Sequence, residues 1–352
     1  AQLSVNVNDA PQGLPLISGT AAQGQALSVN ASGITDADGL GSLSYQWKAN
    51  GADIAGATGA SLLLGQAQVG QTISVAVRYT DAGGTLETVT SAATAAVLNT
   101  NDAPVGAPTI TGTATQGQTL TAQTGALSDA DGLGPLSYQW KANGVNIAGA
   151  TGATLTLAQA QVGQAITVAV GYTDGGGVAE RVTSAATAPV ANVNDAPAGL
   201  PTISGTATQG QTLTASGAAV ADADGLGSFA YQWKADGADI AGATSASLVL
   251  GQAQVGKSIS LQLRYTDGGG TLETRTSAGT PAVTNVDDAA TGQLNLTGAA
   301  KEGASLVASL DNLQDADGAA TVAYRWQENA SGNWQDLAGA TGPTLSIPSD
   351  HS

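Results

Sequence analysis

A repeat limits what this chain can fold into. The segment NDAP begins at Asn8, Asn101 and Asn194, each 93 residues after the last. DADG begins at Asp36, Asp129, Asp222 and Asp315, and one tryptophan per copy falls at Trp47, Trp140, Trp233 and Trp326, on the same spacing. A fixed period of this kind marks tandem copies of one structural unit. Cuts at Pro11, Pro104, Pro197 and Ala290 give repeats at 11–103, 104–196 and 197–289. Residues 1–10 then match the last strand of a preceding repeat, and 290–352 form a fourth, divergent and truncated one. The chain has no Met, so it reads as an excised or processed piece of a longer protein.

Within a repeat the apolar residues recur every second position, the period of a half-buried strand. Leu43, Tyr45 and Trp47 alternate with polar residues, as do Ile73, Val75, Val77 and Tyr79, and Leu62 shares a face with Leu64. The third repeat shows the same with Phe229, Tyr231 and Trp233, and with Ile259, Leu261, Leu263 and Tyr265. NG, GATG and DGGG turns separate the runs, the spacing expected of a sandwich. No segment reads as a helix, and QAQVG at 66–70 reads as a corner between strands. About seven strands with a tryptophan on the third predict an all-β chain of tandem immunoglobulin-like β-sandwiches, arranged end to end as an extended rod. There is no Cys. Val29, Ala122, Ala215 and Ala308 stand where the second-strand cysteine would be, with Val75, Val168 and Leu261 as partners, so packing alone must hold the two sheets together.

Net charge narrows the partners. The formal charge is −17, from 27 acids and 10 bases. Nucleic acid needs Lys and Arg to displace its counterions, and anionic membranes attract basic segments, so both are excluded as partners. No apolar run approaches the ~20 residues of a spanning helix, and no basic-then-apolar leader opens the chain.

The acids are placed rather than scattered. In this topology the domain entry, the loop after strand two and the loop after strand six share one pole. The candidates there are Asn8, Asp9, Asp36, Asp38 and Asp81, then Asn101, Asp102, Asp129, Asp131 and Asp174, then Asn194, Asp195, Asp222, Asp224 and Asp267, and finally Asp287, Asp288, Asp315 and Asp317. Calcium takes six to eight oxygens from carboxylates, carbonyls and Asn side chains, and clustered carboxylates without a cation repel or take up protons. The other reading is that Asn and Asp simply form turns. D-x-D-G alone lacks the later ligands of a full EF-hand loop; the convergence of three loops favours calcium, in a structural role.

Glu87 and Glu273 are predicted to face Arg78 and Arg264 across a hairpin as ion pairs, with Gly171 facing Glu180 in the second repeat. Enzyme chemistry finds no footing. The single His is His351, so no Ser–His–Asp or Cys–His set exists, and the DADG carboxylates sit on loops in every repeat, which suits structure better than glycoside hydrolysis. Trp334 lies in ENASGNW, an insertion confined to the last repeat, and is the candidate ligand contact.

The run DADGLGxLSYQWKANGxxIAGATG, followed by QAQVGQ and YTDxGG and joined by NVNDAP, resembles the bacterial Ig-like repeats of giant calcium-dependent adhesins, the RTX-type biofilm proteins exported by type I secretion. The NDAP linker is similar to the cadherin linker, whose Asn and Asp bind calcium between domains; Asn8, Asp9, Asn101, Asp102, Asn194 and Asp195 are the matching positions, and VDDAA departs from it at Asp287 and Ala290. The resemblance implies a secreted or cell-surface, non-enzymatic spacer. Its partners would be neighbouring repeats of the same chain and, through distal domains, host or matrix ligands. The alternatives are an adhesin module that binds carbohydrate or protein directly, and accessory repeats of a large secreted enzyme.

Overall fold

The computed structural model describes residues 7–318 and 321–349. Residues 1–6, where the last strand of a preceding repeat is expected, and His351 lie outside the described residues. The chain separates into two compact units, Ala1–Val193 and Asn194–Ser352.

The first unit holds two sandwiches built alike. In the first, β1 (Leu16–Ser18), β2 (Ala26–Asn30) and β5 (Ser61–Leu63) form one sheet in the order β1-β2-β5. The facing sheet is ordered β4-β3-β6-β7, from β3 (Ser44–Ala49), β4 (Ala52–Asp53), β6 (Ile73–Thr80) and β7 (Leu86–Thr90). All these pairings are antiparallel. Three strands over four, with the tryptophan on the third strand, is the immunoglobulin-like arrangement. The second sandwich repeats it with Thr109–Thr111, Thr119–Gln123 and Thr154–Thr156 against Ser137–Ala142, Val145–Asn146, Ile166–Thr173 and Ala179–Thr183.

The second unit opens with a third such sandwich: Thr202–Ser204, Thr212–Ser216 and Ser247–Val249 against Ala230–Ala235, Ala238–Asp239, Ile259–Thr266 and Leu272–Thr276. Beyond it Thr291–Gly298, Ser305–Gln314 and Thr344–Ser346 make a three-stranded sheet, and Gln327–Ala330 pairs with Asn333–Asp336. The chain is therefore all-β, in tandem immunoglobulin-like sandwiches. Among the described residues, no helix is long and apolar enough to cross a membrane.

Alternation builds the core. Along β6, Ile73, Val75, Val77 and Tyr79 are all buried, and in β5 Leu62 and its neighbour Leu64 are buried while Leu63 is 69% exposed. Trp47 lies opposite Val75 and is fully buried with Leu27, Leu64 and Ile73. Its indole N–H donates to the Gly59 carbonyl at 2.9 Å, so the one polar atom of the ring is satisfied. Trp140, Trp233 and Trp326 donate to Gly152, Ser245 and Gly342 in the same way. The NG turn after β3 follows from backbone geometry: Asn50 and Gly51 both take positive φ, 47° and 84°, as a two-residue type I′ hairpin requires. The QAQ corner is a single 3-10 turn, Gln66–Gln68.

The last segment of each complete repeat closes the sandwich. Val97 and Leu98 make parallel bridges to Val69 and Ala22. Four backbone bonds hold them: Gly70 N–H to the Val97 carbonyl, Val97 N–H to Gln71, Gln23 N–H to Leu98 and Leu98 N–H to Ala21, all at 2.9 Å. Val283 and Thr284 bridge Val255 and Thr208 likewise in the third sandwich.

The predicted ion pairs across the β6–β7 hairpin are not formed. Glu87 faces Tyr79, and Arg78 faces Thr88; Glu180 faces Tyr172 and Gly171 faces Arg181; Glu273 faces Tyr265 and Arg264 faces Thr274. The expected register assumes a two-residue turn. The loop has three residues between Asp81 and Thr85, whose backbone is bonded at 3.0 Å, with Gly84 at φ 92°. One extra turn residue shifts every facing pair by one.

Candidate metal sites at the acidic pole

Each acidic loop first satisfies itself. In DADG the first aspartate accepts the N–H of the second through Oδ1: Asp36 from Asp38 and Asp129 from Asp131 at 2.8 Å, Asp222 from Asp224 at 3.0 Å. This is the local side-chain-to-backbone turn that Asp favours. Its Oδ2 accepts the hydroxyl of the last-turn tyrosine of strand six, Tyr79, Tyr172 or Tyr265, at 2.6 Å. Burial and then this carboxylate push each tyrosine above its ordinary range.

The loop then docks on the strand-six end. A Cβ on Gly134 would meet the Thr173 carbonyl oxygen at 2.1 Å, and the same holds for Gly41 on Thr80 and Gly227 on Thr266, at 2.0 and 2.1 Å. The contact is so close that only glycine fits. Backbone bonds tie the two loops together: Ala82 N–H to Asp38, Gly175 N–H to Asp131 and Gly268 N–H to Asp224, at 3.0–3.1 Å.

This docking buries a carboxylate. Asp81, Asp174 and Asp267 are only 5–6% exposed. Oδ1 accepts the N–H of Thr85, Val178 or Thr271 at 2.7–2.8 Å. Oδ2 is buried in all three without a hydrogen-bond partner among the described residues. An unpaired buried acceptor is costly, more so when charged. In the third sandwich Asp222, Asp224 and Asp267 bring carboxylate oxygens within 4.8 Å of one another, the one such group among the described residues. Three carboxylates at that separation, one with a bare oxygen, suit a hard cation that takes oxygen ligands.

The linker residues divide their side chains. The backbone N–H of Asp9, Asp102, Asp195 and Asp288 donates to the second DADG aspartate, Asp38, Asp131, Asp224 and Asp317, at 2.7–2.8 Å. The carboxylates of Asp102 and Asp288 instead accept from Gln23 and Gln209 at 2.6 Å. The linker amides of Asn8, Asn101 and Asn194 donate to Glu87, Glu180 and Glu273 at 2.9 Å, which gives those glutamates their place. Asp287 is exposed, and Asp315 accepts the Asp317 N–H at 2.9 Å.

Two residue sets escaped the sequence reading. The first is Asn99 and Asn285, whose side chains hydrogen-bond Asp131 and Asp317. A Cβ on Gly176 would lie 2.7 Å from Asn99 Nδ2 and 3.3 Å from Asp174 Oδ1, so Asn99 sits against that loop too. The second is Gln66 and Gln252 of the 3-10 corners, which donate to Asp131 Oδ1 at 3.0 Å and Asp317 Oδ1 at 3.3 Å. Asp131 is held below the usual carboxylate range by the Asp102 N–H first, then by Asn99 and Gln66; Asp317 is held low by Asp288, Asn285 and Gln252. Asn99, Asn192 and Asn285 share one repeat position, as do Gln66, Gln159 and Gln252, so their recurrence was the available signal.

Trp334 lies apart from this pole, 66% exposed on the Asn333–Asp336 strand. It lines an open groove with Leu294, Leu296, Leu310, Val322 and Trp326.

No family model matches the chain, and no curated protein matches it. Solved structures similar to it include a Ca2+-stabilised adhesin that helps an Antarctic bacterium reach out and bind ice, 15% identical over 97% of this chain and 91% of that one, with a TM-score of 0.32. Chicken CNTN1 FN1–FN3 domains are 13% identical over 77% of this chain and 100% of theirs, TM-score 0.22. The ICAM-5 D1–D4 ectodomain fragment is 17% identical over 78% and 76%, TM-score 0.28. Superpositions this slight bear on neither ligand nor role.

Proposed function

We propose that the chain is a spacer segment of a large secreted or surface-attached adhesin, with domains at 11–103, 104–196, 197–289 and 290–352 and with calcium fixing the joints between them. The observation that carries this reading is the bare, buried Oδ2 of Asp81, Asp174 and Asp267, together with the carboxylates gathered around Asp267. A cation there would be held by Asp222, Asp224 and Asp267, and by Asp129, Asp131 and Asp174 or Asp36, Asp38 and Asp81 at the matching loops. It would cancel the repulsion among them and stiffen the loops that meet the linker. The chain's own contribution is positional, because the tyrosine hydroxyl, the DADG turn and the linker N–H orient the carboxylates beforehand.

Small-angle X-ray scattering of the whole chain, in calcium and then in excess chelator, tests the reading. A longer maximum dimension in calcium that collapses on chelation supports it; superimposable profiles refute calcium as the stiffener. A second reading, direct ligand binding, draws on Trp334 beside an apolar groove. Binding on a glycan array that vanishes with Trp334→Ala would favour it.

A further inference from the structure

From the joint inside the first unit we infer that Gln66, on the 3-10 corner of one repeat, is a ligand for the cation of the next repeat, so that the ion links two domains instead of sitting within one. The inference rests on the calcium reading above and names a residue that reading lacks.

Gln66 belongs to the first repeat, yet its amide nitrogen donates to Asp131 Oδ1 of the second at 3.0 Å, across 65 residues of sequence. The same amide's oxygen, Oε1, is buried with no partner among the described residues. A glutamine that serves only as a donor to a carboxylate has no reason to bury its acceptor unpaired, since that loses the acceptor's hydration. Nearby, Asp174 is nine-tenths buried with its Oδ2 equally bare, and Gly175 N–H ties its loop to Asp131 at 3.0 Å. Two orphaned oxygens thus come from different repeats, each on a loop bonded to Asp131, one through the Gln66 amide and the other through the Gly175 N–H. Gln252 repeats the pattern on Asp317, at 3.3 Å and with a bare buried Oε1.

The chemistry follows from the two ends of the amide. Without a cation, the N–H end faces Asp131 and satisfies it. With a cation on Asp131, an N–H pointing at the metal is repelled, and a half-turn of the amide presents Oε1 instead, a neutral oxygen of the kind calcium accepts. Gln66 then holds the joint in both states, and only the loaded state couples it to calcium.

Gln66→Glu and Gln66→Leu separate ligand from latch. Glutamate keeps the shape and adds charge but cannot donate; leucine can neither donate nor ligate. The probe is calcium chloride alone, titrated into the full chain, and the readout is hydrogen exchange of the linker peptide 97–104, which reports this joint. We expect Gln66→Glu to speed exchange in chelator and lower the calcium midpoint by roughly tenfold, because added ligand charge tightens such sites. Gln66→Leu raises the midpoint by about tenfold. Unchanged midpoints in both variants overturn the assignment and leave Gln66 a latch. A wild-type linker indifferent to calcium sinks the calcium reading itself, and this assignment with it.

Discussion

Replacing Asp267 by Asn should change the stability of the third sandwich in opposite directions with and without calcium. The side chain is 6% exposed, and its carboxylate lies within 4.8 Å of those of Asp222 and Asp224. At an effective dielectric of ~20, two unit charges at that distance repel by about 3–4 kcal/mol, and in water by about 1 kcal/mol. Asp222 is only partly buried, so the true value falls between these limits. Asn keeps the acceptor for Thr271 N–H and removes the charge, but leaves an amide N–H unpaired at a cost of about 1 kcal/mol. In chelator the net effect is a gain of about 1–2 kcal/mol, or roughly 4–16 °C in melting temperature for a domain of this size. In saturating calcium the wild type gains about 4 kcal/mol when the ion is present at ~1,000 times its dissociation constant, and the variant forfeits much of it. Hydrogen exchange of the peptide Ile259–Thr266, in chelator and in calcium, reads the opening free energy of this sandwich alone. A change of the same sign and size in both conditions would refute the reasoning, because no cation would then be balancing the three charges.

Trp140→Ala should cost the second sandwich about 3–5 kcal/mol, since the ring is fully buried; chemical denaturation followed on peptides of that repeat measures it, and an unchanged midpoint would remove Trp140 from the core. Gly134→Ala should cost about 1–3 kcal/mol by overpacking, because the new methyl would meet the Thr173 carbonyl oxygen at 2.1 Å, whereas Gly144→Ala, in the turn at the other end of the Ser137–Ala142 strand, has open space and pays only for its φ of 82°; equal exchange rates in the two variants would deny that the DADG loop docks on strand six. The Asp53 carboxyl, hydrogen-bonded by Lys48, is held below its ordinary range. Its contribution is therefore complete at neutral pH and lost as pH falls through the lowered value, so its NMR titration should shift upward in Lys48→Met and fail the prediction if it stays put.

The sandwich was legible because its signals are local and repeated. Period-two alternation around Trp47 and along Ile73–Tyr79, with Asn50–Gly51 as the turn, needs nothing distant to be read. The hairpin register was misread because Asp81-Ala82-Gly83-Gly84-Thr85 admits either a two- or a three-residue turn, and Asp81 settles it by accepting the Thr85 N–H, a bond the letters do not disclose. The acidic loops were legible as a group, since charge stands out in a chain this poor in it. Their division of labour was not: Asp102 shows a carboxylate to the reader but uses its N–H at the joint and turns its side chain to Gln23. Gln66 and Asn99 went unread because a neutral amide carries no signal until the fold shows which carboxylate it faces.

The segment Val97–Leu98 that closes the first sandwich lies parallel to the stretch around Ala22, close to where the chain enters that domain. Traction on the chain through its two flanking linkers draws these two stretches in opposite directions along their own length. The bonds of Gln23 and Leu98 on one side, and of Gly70 and Val97 on the other, are then strained sideways and together, so none can peel before its neighbours. Pulled from its two ends, a domain bonded in this way should yield by whole-domain rupture, in one step, and not by gradual unzipping from an end.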